Sequence, residues 1–241
     1  MSTRLGLFFS VCVLVGLASC QPEPTTIPPA IIAEARLRSV EVFRPGDRNS
    51  IGSGLLLNRH GLVLTCNHIL RISTDRKKNK AQEIIISHDG SDGPATLLRG
   101  EPNVDLAIVH WRLPAETFAE LSGLDDLLKA RDRWVPRGEL HPGEPALLVG
   151  SPYGLTDSVL IGRISHTNRL NTDREFADIP LVQTSGLSYP GSSGAAVYVR
   201  DGRIVGINRA TFGFSKGTGI GLTLPAGYVQ AFLYSFAESE K

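Results

Sequence analysis

From about Ser39 onward the chain falls into about twelve short apolar runs, each cut off by Gly, Pro or Asp within some seven residues. Runs of that length are strand-sized and too short for ordinary globular helices. Ser39-Val40-Glu41-Val42-Phe43 alternates apolar and polar, as a half-buried strand does. Leu55-Leu56-Leu57, the turn Asn58-Arg59-His60-Gly61 and Leu62-Val63-Leu64-Thr65 read as a hairpin. Later runs at Glu83–Ser87, Thr96–Leu98, Leu106–His110, Ala146–Val149, Val159–Ser165, Leu181–Gln183, Ala195–Val199, Ile204–Asn208 and Thr218–Leu224 continue the pattern. So many evenly spaced strands imply an all-β sandwich or barrel. Three stretches depart from it. Ala30–Leu37 reads as a short opening helix. Pro114–Trp134 carries Phe118, Leu121, Leu124, Leu127 and Leu128 at helical spacing, a surface helix between two halves. Tyr228–Phe236 reads as a closing helix with Pro225 in its first turn.

Composition excludes several classes. At 41% hydrophobic and 20% charged the chain has enough apolar surface for a core, against intrinsic disorder. A net charge of +1 offers no electrostatic footprint for nucleic acid. Three cysteines are too few for a disulfide scaffold.

The first residues read as an address. Arg4 precedes an apolar run from Leu5 to Ala18, too short for a membrane span of about 20 residues but suited to a signal peptide. The run ends Leu17-Ala18-Ser19-Cys20, which resembles the lipobox of bacterial lipoproteins. That resemblance implies removal of residues 1–19, diacylglycerol (and palmitate) on Cys20 and a lipid-anchored protein facing the periplasm. Gln21 after the cysteine implies the outer rather than the inner membrane of a Gram-negative cell. The alternative is a plain secretory signal with a chance cysteine. Gln21–Pro29 holds four prolines in nine residues and reads as an extended tether. The expected organisation is therefore a signal over 1–19, a lipidated cysteine, tether and short helix over 20–38, and one domain over 39–241. Only Cys66 would remain as a free thiol inside that domain.

Three segments carry chemistry-bearing residues. They are Thr65-Cys66-Asn67-His68, Asp105-Leu106-Ala107-Ile108-Val109, and Tyr189-Pro190-Gly191-Ser192-Ser193-Gly194-Ala195-Ala196. A serine hydroxyl is a weak nucleophile until a base takes its proton. An imidazole does this near neutral pH, and a carboxylate behind it fixes the tautomer. A glycine-flanked turn lets two backbone N–H groups, here those of Gly191 and Ser193, receive the oxyanion, at about 3–4 kcal/mol per donor. Asp105 opens an apolar strand where a carboxylate can be held semi-buried, whereas the rivals Asp75, Asp89 and Asp92 lie in polar turns. Ser192 is the rival nucleophile, but a one-residue shift breaks the oxyanion spacing. Cys66 reads as a small buried hydrophobe rather than a nucleophile. His60, His88, His110, His141 and His166 have no supporting context, and the basic run Arg76-Lys77-Lys78 with Lys80 reads as a solvated loop or a contact for anionic lipid.

Together with Gly52-Ser53-Gly54, Gly150-Ser151-Pro152-Tyr153-Gly154, Gly162-Arg163-Ile164-Ser165, Gln183-Thr184, Gly202 with Ile204–Asn208, and Gly219-Ile220-Gly221 before Leu224-Pro225, these segments resemble the trypsin-like serine proteases, specifically their HtrA/Deg branch. The resemblance spans about residues 39–236. It implies two six-stranded β-barrels, with a helical insertion and a C-terminal helix as accessories. It also implies His68 as general base, Asp105 as orienting acid, Ser193 as nucleophile, and Gly191 and Ser193 as oxyanion donors. The reaction would be peptide-bond hydrolysis through an acyl-enzyme, without metal or cofactor, on unfolded or damaged envelope proteins. A homotrimer is the form common among these relatives. Ser192 and Ala195 depart from the usual pattern around the nucleophile. The loop Pro45–Ile51 is short, and the residues after the closing helix are too few for the PDZ domain of many relatives, so PDZ-triggered activation is not expected. By resemblance Leu187, Ile207, Asn208 and Arg209 line the primary substrate pocket: Leu187 implies small or medium aliphatic side chains, Arg209 acidic ones. The reading from a different class is a latent or non-catalytic trypsin-fold lipoprotein acting as a binding or chaperone module.

Overall fold

A computed structural model describes residues 26–45, 47–72, 84–112, 121, 123–172, 178–212 and 219–239. The lipobox-like Leu17–Cys20, most of the expected tether over 21–29 and the basic run at 76–80 lie outside the described residues.

Twelve antiparallel strands form two closed barrels. The first comprises β1 (Ser39–Arg44), β2 (Asp47–Leu56), β3 (Leu62–Cys66), β4 (Ile84–His88), β5 (Ser91–Glu101) and β6 (Leu106–Trp111), ordered β1-β2-β3-β6-β5-β4. The second comprises β7 (Pro145–Gly150), β8 (Ser158–Arg169), β9 (Leu181–Ser188), β10 (Ala196–Val199), β11 (Ile204–Thr211) and β12 (Gly219–Pro225), ordered β10-β11-β12-β9-β8-β7. Read in reverse, the second order repeats the first. Closure removes every exposed sheet edge, which is how short strands with little individual stability persist. The open choice between sandwich and barrel is thereby decided for barrels.

Local chemistry explains several elements. At the β2–β3 hairpin Asn58 Oδ1 accepts the N–H of His60 at 3.0 Å and of Leu62 at 3.4 Å, so the side chain organises the turn. In β4 the alternation Ile84, Ile86 and His88 buried against half-buried Ile85 and Ser87 follows the pleat. β7 and β10 show no alternation because both of their faces are covered. Leu147, Val149, Ala196 and Tyr198 join the core that runs from the first barrel to the outer wall of the second. Ala146, Leu148, Val197 and Val199 fill the interior of the second barrel. Each fully buried Val or Leu contributes about 1.5–3 kcal/mol.

Helices fasten the two barrels together. In α1 (Pro29–Arg38), Arg38 is 1% exposed, donates to the carbonyls of Leu56 (3.4 Å) and Asp125 (3.2 Å), and pairs with Glu34 at 3.2 Å. α3 (Ala226–Ser239) buries Ala226, Val229, Phe232, Leu233 and Phe236, an apolar stripe at helical spacing. Arg99 of β5 lies 5.7 Å over the Phe232 ring and donates to the Ser235 carbonyl at 3.0 Å. The helix expected over Pro114–Trp134 falls partly outside the described residues. Of its described part, only Arg131–Arg133 makes a helical turn, and it is a 3-10 turn. Leu121 and Leu127 there are buried, and the N–H of Leu127 donates to the Leu57 carbonyl at 3.0 Å, so the apolar spacing serves an irregular wedge against the first barrel. Among the described residues no helix is long and apolar enough to cross a membrane.

Candidate active site

The register of β3 against β6 brings the first two residues together. Cys66 pairs with Leu106, so the chain leaving β3 and the chain entering β6 emerge at the same barrel end. The Asn67 N–H extends the ladder to the Asp105 carbonyl at 3.0 Å, and α2 (Asn67–Ile72) then turns His68 toward the acid. His68 Nδ1 lies 2.7 Å from Asp105 Oδ2, and its backbone N–H donates to Oδ1 at 2.8 Å. A carboxylate only accepts, so Nδ1 carries the proton and Nε2 is left as the basic nitrogen. Asp105 is 3% exposed and held at φ +57°, a left-handed conformation rare outside glycine and tolerated by Asp. The rivals Asp89 and Asp92 are exposed, and Asp75 lies outside the described residues.

Hydrogen bonds across the barrel interface place Ser193. Ser53 of β2 donates its N–H to the Ser193 carbonyl at 2.8 Å and its hydroxyl to the Gly191 carbonyl at 2.8 Å, and its Oγ accepts the Ser151 N–H at 3.0 Å. Thr65 of β3 donates to the Ser53 carbonyl at 2.7 Å. One serine of the first barrel thus pins the Gly191–Ser193 turn of the second. Gly194 is at φ +90°, and a Cβ there would stand 2.0 Å from the Ser53 carbonyl oxygen; Gly191 is at φ +96°, with a Cβ 2.2 Å from the Ser151 carbonyl oxygen. Both positions demand glycine.

Within the turn the Pro190 carbonyl accepts the Tyr153 N–H at 2.6 Å, and the Ser192 carbonyl accepts the Asn208 amide at 3.1 Å. In a trans peptide the N–H points opposite the C=O, so the N–H groups of Gly191 and Ser193 are directed away from those partners. Among the described residues neither of these two N–H groups makes a hydrogen bond. Ser192 is fully buried and its Oγ accepts the Tyr189 N–H at 3.4 Å, whereas Ser193 is half-buried. The Ser193 hydroxyl donates to the Arg209 carbonyl at 3.0 Å.

The four residues expected around the substrate pocket are all buried. Leu187 is 0% exposed inside the second barrel and Ile207 0% exposed in the core between barrels. Asn208 is equally buried and its amide donates to the Ser192 carbonyl. Arg209 turns to the acid, with Nε 2.9 Å from Asp105 Oδ2, a contact the sequence reading missed because no local pattern points to it. Cys66, His68 and Asp105 present ligand atoms within 4.8 Å of one another. Burial, and then the Asp105 charge, push the Cys66 thiol well up, and the Arg209 cation stands beside the cluster, so a metal ion is disfavoured there.

A double barrel with a histidine–carboxylate pair on one half, and a glycine-flanked serine turn with two free N–H groups on the other, defines the trypsin-like architecture. Residues 52–207 match the trypsin-like peptidase domain family, and the chain belongs to it. A relative from Ectopseudomonas mendocina (strain ymp), described as a probable periplasmic serine endoprotease DegP-like, is 31% identical over 184 residues, 76% of this chain and 34% of that protein. Serine protease PepD of Mycobacterium tuberculosis (strain ATCC 25618 / H37Rv) is 28% identical over 172 residues, 68% of this chain and 34% of that protein. The chain thus spans about a third of the length of these curated relatives. Among solved structures, the HtrA-type protease AlgW with tripeptide superposes with a TM-score of 0.69 at 25% identity, covering 88% of this chain and 64% of that one.

Proposed function

We propose that this protein is a serine endopeptidase in which Ser193 attacks the peptide carbonyl, His68 Nε2 takes the hydroxyl proton and Asp105 stabilises the imidazolium that forms. The N–H groups of Gly191 and Ser193 receive the oxyanion. His68 then returns the proton to the leaving amine, and water releases the acyl group by the same route. Two N–H groups that make no hydrogen bond among the described residues, on the turn of the half-buried Ser193, together with a His68 oriented by Asp105, are the observation that carries this reading. The relatives' names, a serine endoprotease and an HtrA-type protease, support proteolysis, and the sequence resemblance extends the proposal to unfolded or damaged envelope proteins as substrates. The names also support a periplasmic setting, and the lipobox-like Leu17–Cys20 adds an anchor on an acylated Cys20, at the outer membrane given Gln21. An anchor of two or more acyl chains is stable and concentrates the enzyme on membrane-proximal substrates. Palmitate labelling lost in Cys20→Ala tests the anchor. A preference for aliphatic residues at the cleaved position, and assembly as a trimer, belong to the same proposal; peptide-library cleavage and sedimentation test them.

One observation favours a second reading, a latent or purely binding form: the Ser193 hydroxyl faces the Arg209 carbonyl and not His68. A fluorophosphonate probe separates the two. Labelling of the wild-type chain that disappears in Ser193→Ala is expected. A folded wild type that neither labels nor digests casein excludes the enzyme at rest.

A further inference from the structure

We propose that Arg209 is a positioning residue for this triad, its guanidinium offsetting the charge of the buried Asp105 carboxylate and keeping that side chain against His68. The inference rests on the triad reading above. Asp105 is buried, and its Oδ2 is hydrogen-bonded to His68 Nδ1 at 2.7 Å and forms an ion pair, not an aligned hydrogen bond, with Arg209 Nε at 2.9 Å. A general base must present a neutral imidazole before reaction, so at rest His68 supplies no charge to offset the carboxylate. A buried carboxylate without a counter-charge is strongly disfavoured. The guanidinium is permanently charged and meets this need in every protonation state of the histidine. Arg209 is itself only 8% exposed, so its guanidinium is buried beside Asp105 rather than offered to solvent.

The strand that carries Arg209 is fixed to the nucleophile turn. The Gly194 N–H donates to the Asn208 carbonyl and the Asn208 N–H to the Ala195 carbonyl, each at 2.8 Å. Arg209's own carbonyl receives the Ser193 hydroxyl. One residue of the second barrel therefore touches the acid on the first barrel and the nucleophile on its own. It sets the distance between the two halves of the site at the point where they must cooperate.

The test uses the full-length chain and saturation kinetics of fluorophosphonate labelling, which separate the maximal rate from the half-saturating concentration. Arg209→Met is expected to lower the maximal rate about 10- to 100-fold, as loss of a partner that orients a catalytic ligand does in metal sites. The half-saturating concentration should stay within about twofold, since the side chain does not meet the ligand. Arg209→Lys, or tens of millimolar guanidinium ion added to Arg209→Met, should restore part of the rate. An unchanged maximal rate in a folded Met variant overturns the proposal. A raised half-saturating concentration at unchanged rate also overturns it, because it would place Arg209 against the substrate. A slow variant that neither guanidinium nor lysine improves reduces the residue to a structural role. Should Arg209→Met fail to fold, Arg209→Lys and Arg209→Gln carry the same split, and wild-type rates in both overturn the proposal. A wild type that does not label removes the triad reading and this inference together, whereas labelling of wild type and variant alike removes the inference alone.

Discussion

In the first barrel, strand register positions the proposed catalytic side chains: Cys66 opposite Leu106 sets the end of β3 beside the start of β6, and His68 and Asp105 follow one step on. In the second barrel the proposed nucleophile Ser193 lies outside any strand, on a turn (residues 190–193) whose carbonyls are each taken by a partner, several of them on the first barrel or the 150s loop. Register is a cooperative property of a whole ladder and resists single substitutions. A turn held by a few hydrogen bonds does not, so the nucleophile half should be the fragile half of the site.

Substitutions that keep the fold but remove one catalytic contact test the first half. Asp105→Asn should lower kcat about 10⁴-fold by favouring the wrong imidazole tautomer, with a melting transition that stays cooperative; a loss below tenfold would mean Asp105 does not orient His68. On the second half, Gly194→Ala forces a Cβ to 2.0 Å from the Ser53 carbonyl at φ +90°, so the turn must move. Fluorophosphonate labelling should fall beyond detection while far-UV circular dichroism stays near wild type. Equal labelling of this variant would show that the turn adapts.

Ser53→Ala probes the link between halves. It leaves the Ser151 N–H and the Gly191 carbonyl without their partner, at a cost of about 1–3 kcal/mol for each buried group left unpaired. The expected result is a lower melting temperature with kcat reduced more than KM, read from casein cleavage; a change in KM alone would uncouple Ser53 from the turn.

A pH experiment addresses Cys66, beneath both halves. Burial raises its thiol in the folded state, so the unfolded chain loses this proton first as pH rises. The stabilising contribution is complete below the unfolded thiol value of about 8.5 and declines as pH climbs from there toward the folded value. Urea midpoints of wild type should therefore fall above that pH relative to Cys66→Ala, while parallel curves would contradict the burial. The smallest effect expected is that of Arg99→Ala, which removes a cation–π contact to the Phe232 ring worth about 0.5–1 kcal/mol and the exposed hydrogen bonds to Ser235, seen in the same urea midpoints without change in kcat.

Much of this architecture was legible in the chain. The β2–β3 hairpin could be read because Asn58 and Gly61 interrupt two apolar runs, and the strands from β7 to β12 because apolar runs announce themselves whether one face or both are covered. His68, Asp105 and Ser193 stood out by residue type and neighbours. The Pro114–Trp134 stretch misled, since leucines at helical spacing fit an irregular wedge equally well when Leu121 and Leu127 find the same crevice. The buried guanidinium of Arg38 and the Arg209–Asp105 contact were invisible, because an arginine's environment depends on residues more than eighty positions away.

The sequence by itself determined the strand count, the turn glycines and the kinds of side chain available for acyl transfer, because periodicity and backbone conformation are local. Tertiary structure decided which partner each of those groups meets. Barrel closure brought Ser53 under the Gly191–Ser193 turn and Arg209 against Asp105, and burial made the second contact matter by removing the water that would otherwise have solvated the carboxylate.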